Sequence, residues 1–285
     1  MSTDSKRAPI GCSIQVLTHN NASTLRGCLE SLRAFGEVIV QDGASTDGTR
    51  EIAKEFPNVT LVDQNPKYLN AQGYITDFSS LRNETIASAT YDWIFPVDAD
   101  EFLSTAEAEE IAEIVSRGVP GVYTSFRRFF LDGQRIDSCS GYPAIQIRLF
   151  HRSLIIDGYR KQVHERLQMK SGVIPQMMHA EHPVPLASAE ELHAKYQRYL
   201  QLEAKRTPIG FVHWCRWILY RNCRTIAILF LRLAWIWLTP RRGKRLPLRY
   251  ELQAVAYSLS LMIYLFPPIA RRRLASEIDG TRSVG

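Results

Sequence analysis

Three carboxylates crowd four positions at the end of an apolar run: in WIFPVDADEF, residues 93–102, Asp98, Asp100 and Glu101 follow Trp93–Val97. Buried acids are costly unless something compensates them. A divalent cation such as Mg²⁺ or Mn²⁺, held through the oxygens of Asp98 and Asp100, is one such compensation. It would also let the site bridge a diphosphate and offset the charge of a leaving group. Glu101 is expected to be a surface neighbour or a helix-start residue. Arg82 belongs to the same question, because it falls amid Ile75, Phe78, Ile86 and Ala89 on one helical stripe. A guanidinium there needs a partner, either a carboxylate near the site or a ligand phosphate, or else a structural ion pair.

The elements that must carry these residues alternate. SIQVLTHN (13–20), EVIVQ (37–41), VTLV (59–62) and DWIFPV (92–97) read as short apolar strands. Between them lie a helix bearing Leu25, Cys28, Leu29 and Leu32 with Gly36 as its stop, a helix capped by Asp47 and ended by Pro57, and a helix over about 74–89. This β-α-β-α-β-α-β order implies an α/β fold with a mostly parallel central sheet. Ligands of such sheets bind beyond the carboxyl ends of the strands. Thr18, Asp42 and Asp98 sit at three of those ends. After a helix over about 105–117 the rhythm changes. GVYTSFRRFF and AIQIRLF read as strands of a mixed or antiparallel part, with Gln146 and Arg148 expected on a wet face. Ser188 and Glu191 form a capping box that opens a helix to about 206.

Composition bounds the class. The chain has 285 residues and a net charge of +6, and residues 204–285 hold 15 Lys+Arg against 3 Asp+Glu. The expected domains are 1–187 and a basic helical region, 188–285. Within 211–238, Ile218, Leu219, Ile226, Leu229, Leu233 and Trp237 share one arc of about 120°, opposite His213, Arg216, Arg221, Arg224 and Arg232. That pattern suits a helix in an anionic membrane interface. Residues 254–270 are uncharged but interrupted by Pro267-Pro268, which favours an in-plane or re-entrant hairpin over a span. The five cysteines are scattered with no C-x-x-C pair, so neither a disulfide framework nor a zinc site is expected. MSTDSKRAPIG lacks an apolar h-region, so the catalytic part is expected in the cytoplasm, peripheral on the cytoplasmic face of the inner membrane. No nucleic-acid motif is found.

SIQVLTHNNASTLRGCLESL, VIVQDGASTDGT and RNETIASATYDWIFPVDADEF together resemble the family-2 glycosyltransferases with the GT-A (Rossmann-like) fold. The resemblance covers about residues 12–103. It implies a nucleotide-sugar donor, probed first as a UDP-sugar, and a divalent cation. Thr18 and Asp42 would contact the nucleoside, while Asp98 and Asp100 would serve metal and donor. The fingerprint departs from the commoner Asp-Asp-Gly-Ser in having Gln41. IRLFHRSLIIDGYRKQVHERL (147–167) resembles the lipopolysaccharide-core glucosyltransferase-like branch, whose acceptors are lipid-linked or cell-envelope glycans. By that analogy Glu165 would be the general base of an inverting reaction. His164 and Arg148 would support the site, and His179, with His182 as rival, would be a metal or phosphate contact. The alternatives are a nucleotidyltransferase acting on sugar phosphates, or a membrane adaptor with a decayed site.

Overall fold

The computed structural model describes residues 8–70, 75–160, 166–206, 210–239, 243–267 and 269. The positions of His164 and Glu165 lie outside the described residues. The chain divides into two compact units, Met1–Phe130 with Pro143–Pro185, and Leu131–Tyr142 with Leu186–Gly285.

In the first unit, β1 (Ile10–Thr18), α1 (Ala22–Ser31), β2 (Phe35–Asp42), α2 (Thr49–Lys54), β3 (Val59–Asp63), α3 (Phe78–Ser88), β4 (Trp93–Asp98) and α4 (Thr105–Ser116) follow the alternation read from the sequence. The apolar runs are strands because both sheet faces are covered: Ile14, Val16, Val38, Val40, Ile94 and Phe95 are buried. β4, β1, β2 and β3 pair in parallel. The sheet then extends past β4 through β7 (Ile145–His151), β5 (Val122–Leu131) and β10 (Gln176–Pro185), in the order β10-β5-β7-β4-β1-β2-β3. β7 runs antiparallel to β4 and to β5, and β10 runs parallel to β5. Within this seven-strand order the expected mixed part is therefore one reversed strand, β7, in a mostly parallel sheet. β8 (Ile155–Arg160) and β9 (Arg166–Met169) form a separate antiparallel pair.

Two local readings are corrected. Gly36 does not stop α1, which is capped at Leu32; Gly36 lies inside β2, where a Cβ would run into the Tyr91 ring. On α3 the buried positions are Ser79, Leu81 and Thr85, so Arg82 stands beside the buried stripe.

The second unit holds β6 (Gln134–Arg135), α5 (Ala189–Arg206), and α6 (Phe211–His213) running through a π-helical turn, Trp214–Leu219, into α7 (Tyr220–Leu238), then α8 (Leu248–Tyr264). The capping box forms as read: Ser188 Oγ accepts the Glu191 amide at 3.2 Å and Glu191 accepts the Ser188 amide at 2.9 Å. The excursion 131–142 was expected in the first domain. It groups here because the buried Glu251 carboxylate of α8 takes the Ser140 amide at 3.0 Å and the Ser140 hydroxyl, while Arg232 of α7 donates to the Ser140 carbonyl at 3.0 Å.

The apolar arc of α7 is also corrected. Ile218 and Leu233 are buried, and Ile218 and Ile226 belong to a core with Leu200, Leu261, Met262 and Leu265. Most of that arc packs inward, while Trp237 at its end is 56% exposed. The outward face is apolar instead: Arg224, Ile228, Leu231, Trp235 and Leu238 follow at i, i+4, i+7, i+11 and i+14. Leu231, Trp235 and Leu238 are 72%, 61% and 83% exposed. No helix among the described residues is long and apolar enough to cross a membrane.

Candidate active site

The strand register brings the sequence-selected residues to one edge. Thr18 pairs across β1 and β2 with Asp42, and Leu17 pairs across β1 and β4 with Asp98. Strands lie about 4.8 Å apart, so Asp42 and Asp98 rise about 10 Å from each other on either side of Thr18. That span suits a nucleoside diphosphate laid across the strand ends.

The loops at this edge are laced together. Thr18 Oγ1 donates to Asn21 Oδ1 at 3.1 Å, the Asn20 amide donates to Ser45 Oγ at 2.8 Å, and Asn20 Oδ1 accepts the Thr46 amide at 2.9 Å. Asn20 and Ala44 hold φ of 54° and 59°, a left-handed conformation uncommon for residues with a Cβ and seen where surrounding contacts impose it. Asp47 ties two helix starts, accepting the Ala22 amide at 3.0 Å and the Thr49 amide at 3.1 Å; its hydrogen bonds to Thr49 and Ala22 lower its pKa. Asp42 is fully buried, accepting from Ser45 at 2.5 and 2.9 Å and from Arg50 Nη1 at 2.8 Å. Arg50 also reaches Asp63 at 2.5 Å. Gln41 turns away from the edge and accepts the Thr85 hydroxyl at 2.5 Å, so its replacement of an acid falls in the packing against α3.

Asp98 and Asp100 stand on the turn after β4, Asp98 with a half-exposed side chain and Asp100 exposed. Arg82 Nη2 pairs with Asp98 Oδ1 at 3.1 Å, which makes Asp98 the carboxylate partner foreseen for it. Two hard carboxylates on one turn fit Mg²⁺ or Mn²⁺, which complete their shells with water and substrate phosphate. Among the described residues no three His, Cys, Asp or Glu side chains converge as a metal site. A cation would therefore depend on the nucleotide's own oxygens. His179 is not brought to this turn. It is exposed on β10, three strands from β4, with its amide held by Glu110 at 2.8 Å, and it lines a cavity of about 560 Å³ with Glu109, Glu110, Glu113 and Met177. His182 is engaged on both nitrogens. Nδ1 meets Glu107 at 3.0 Å and Nε2 meets Glu101 at 3.1 Å, so it is no ligand in reserve.

Glu101 is the largest correction. It is buried, not a surface neighbour. Its Oε1 takes Arg148 at 2.9 Å and Arg127 at 3.1 Å, and its Oε2 takes His182 and the Asp98 amide at 3.2 Å. Arg148, expected on a wet face and at the donor, is buried too; its other nitrogen donates to the Pro96 carbonyl at 3.0 Å. It meets the turn after β4 through Glu101 and β4 itself through Pro96. Burial alone would raise the Glu101 pKa, yet Arg148, His182 and Arg127 hold it well below the usual carboxylate range. Burial raises Glu107, and His182 opposes this. Burial and Arg148 would lower His182, but its bonds to Glu101 and Glu107 raise it overall. Glu101 is thereby held ionised beside His182.

Asn83, next to Arg82, was not singled out in the sequence. Its side chain accepts the Tyr159 amide at 2.7 Å and donates to the Tyr159 carbonyl at 2.9 Å, pinning β8 to α3. Gly158 has φ of 72°, and a Cβ there would collide with Asn83. Gly158→Ala should cost about 1–3 kcal/mol from the backbone alone, read as a fall in the thermal midpoint of about 2–4 °C per kcal/mol. An unchanged midpoint would show that neither the positive φ nor Asn83 resists a side chain there.

The profile of glycosyl transferase family 2 matches residues 13–176. That is more than half of the chain, and the α/β unit with its mostly parallel sheet is of the GT-A type. The chain belongs to glycosyl transferase family 2. It is 36% identical over 101 residues to the glycosyltransferase SunS of Bacillus phage SPbeta and to its prophage-derived counterpart in Bacillus subtilis (strain 168), covering 35% of this chain and 22% of each relative. It is 38% identical over 92 residues to a TPR repeat-containing protein of Synechococcus elongatus, covering 32% of this chain and 21% of that protein. The matches thus span about a fifth of those relatives' length. Among solved structures, S. aureus TarS 1–349 in complex with UDP-GlcNAc aligns with a TM-score of 0.42 at 11% identity, covering 93% of this chain and 92% of that one. The complex with UDP gives 0.41 at 14%, covering 96% and 89%. Likeness at that level is too loose to carry an argument about ligands.

Proposed function

We propose that this glycosyltransferase takes a sugar from a nucleotide diphosphate, UDP-linked in the first instance, and passes it with inversion to a lipid-linked or cell-envelope glycan at a membrane surface. The observation that carries the donor half is the register of Thr18, Asp42 and Asp98 across three parallel strand ends, with Arg82 braced on Asp98. Asp98 and Asp100 would hold a divalent cation, whose chemistry is to offset charge on a departing diphosphate. Glu165 would accept the proton of the acceptor hydroxyl as that oxygen bonds to the anomeric carbon. The bond from that carbon to the diphosphate oxygen breaks, and its electrons leave with the nucleotide. Incubation with UDP- and GDP-sugars should release the nucleoside diphosphate, whereas pyrophosphate released from a nucleoside triphosphate and a sugar 1-phosphate would indicate a nucleotidyltransferase.

The membrane half rests on the outward face of α7. Exposed Leu231, Trp235 and Leu238, next to Arg221 and Arg224, suit the boundary between anionic headgroups and acyl chains. Such contact would keep the enzyme peripheral, on the cytoplasmic face. The double variant Leu231→Ser/Trp235→Ser should lose most of its cosedimentation with phosphatidylglycerol vesicles while keeping its thermal midpoint. Undiminished cosedimentation would remove this face from the account.

A further inference from the structure

Glu101 grips residue 98 at both ends of its peptide unit. Its amide donates to the Asp98 carbonyl at 2.9 Å, and its carboxylate accepts the Asp98 amide at 3.2 Å. This closes a tight turn in which Asp98 and Asp100 are presented outward while Glu101, 2% exposed, points inward. The carboxylate is gripped in turn from three further strands: Arg148 on β7, Arg127 on β5 and His182 on β10. Glu107 in the first turn of α4 holds the far side of the His182 ring. None of these five side chains is needed merely to fill a core. An apolar group would fill the same volume without the cost of burying charge.

We infer that Glu101 is a positioning residue for donor binding: anchored by Arg148, Arg127 and His182, it fixes the turn that aims Asp98 and Asp100 at the nucleotide diphosphate and its cation. This rests on the function proposed above. The physical reason is acceptor geometry. Both carboxylate oxygens face only N–H donors: the two guanidinium nitrogens at Oε1, and the imidazole and the Asp98 amide at Oε2. A glutamine of the same shape supplies one acceptor and one NH₂ group, so one side must set donor against donor. Either the Asp98 amide loses its anchor or the arginines do.

The test is Glu101→Gln, titrated calorimetrically with UDP in the presence of MnCl₂ and followed by amide hydrogen exchange without nucleotide. Glu251→Gln serves as the matched control, because it disturbs an equally buried carboxylate in the second unit. Glu101→Gln is expected to weaken UDP binding at least tenfold and to speed exchange at the Asp98 amide at least tenfold, with exchange at Ile94 little changed. Glu251→Gln should lower the thermal midpoint and leave UDP affinity within about twofold. If Glu101→Gln melts lower yet binds UDP as the wild type does, with Asp98 exchange rising only in step with global unfolding, Glu101 is an ordinary core ion pair and the inference falls. If wild-type protein binds no UDP, the proposed donor class fails instead; the Asp98 exchange then decides the positioning claim alone.

Discussion

Asp100→Ala is expected to reduce sugar transfer by at least about 10³-fold while leaving the fold intact. The magnitude follows from what the residue would do: stabilising charge on a departing diphosphate is worth several kcal/mol, and each 1.36 kcal/mol is a factor of ten. The absence of a stability cost follows from position. Asp100 is exposed on the turn after β4, unlike Asp98, whose loss would also take the carboxylate from the largely buried Arg82. Asp100 is therefore the cleaner probe of chemistry, and Asp98→Ala should lower the thermal midpoint as well as the rate. Wild-type turnover from Asp100→Ala, or turnover in metal-free buffer, would remove the carboxylate pair from the mechanism.

The second large effect concerns stability. Arg148→Met should lower the unfolding free energy by about 3 kcal/mol, the low end of the range for breaking a buried pair. The low end is expected because Arg127 and His182 still face Glu101. Urea denaturation checks this, with the midpoint shifting at unchanged slope. Arg148→Met/Glu101→Gln should cost less than the two single changes summed, since the second removes the charge whose strongest partner the first has taken. A loss below about 1 kcal/mol, the range of exposed ion pairs in general, would mean the group is solvated or that its neighbours compensate fully.

These two residues mark the limit of what the sequence discloses. The parallel strands were legible because burial on both faces writes itself as continuous apolar runs, and the strand ends were legible because the runs stop at Thr18, Asp42 and Asp98. Glu101 was not, because three acids in four positions look alike until tertiary structure divides them. Its partners lie at Arg127, Arg148 and His182, far along the chain. Arg148 was misplaced for the same reason: an arginine at an alternating strand position reads as wet unless its buried carboxylate is known. The 131–142 excursion depends on Glu251, 111 positions away from Ser140. In α7 the arc around Ile218 and Ile226 is apolar because α5 and α8 pack on it, while the exposed row around Leu231 and Trp235 is broken by Arg224 and so is not the most apolar arc in sequence. Gln41, which departs from the family's fingerprint, proved to be a packing residue bonded to Thr85.

The central claim is that the edge formed by Thr18, Asp42, Asp98 and Asp100 binds a nucleoside diphosphate together with a divalent cation. Calorimetric titration of wild-type protein with UDP, with and without MnCl₂, tests it most directly. Binding should be at least tenfold tighter with Mn²⁺ than without, and Asp100→Ala should lose that gain. UDP binding indifferent to the metal, or a metal gain that survives in Asp100→Ala, would contradict it.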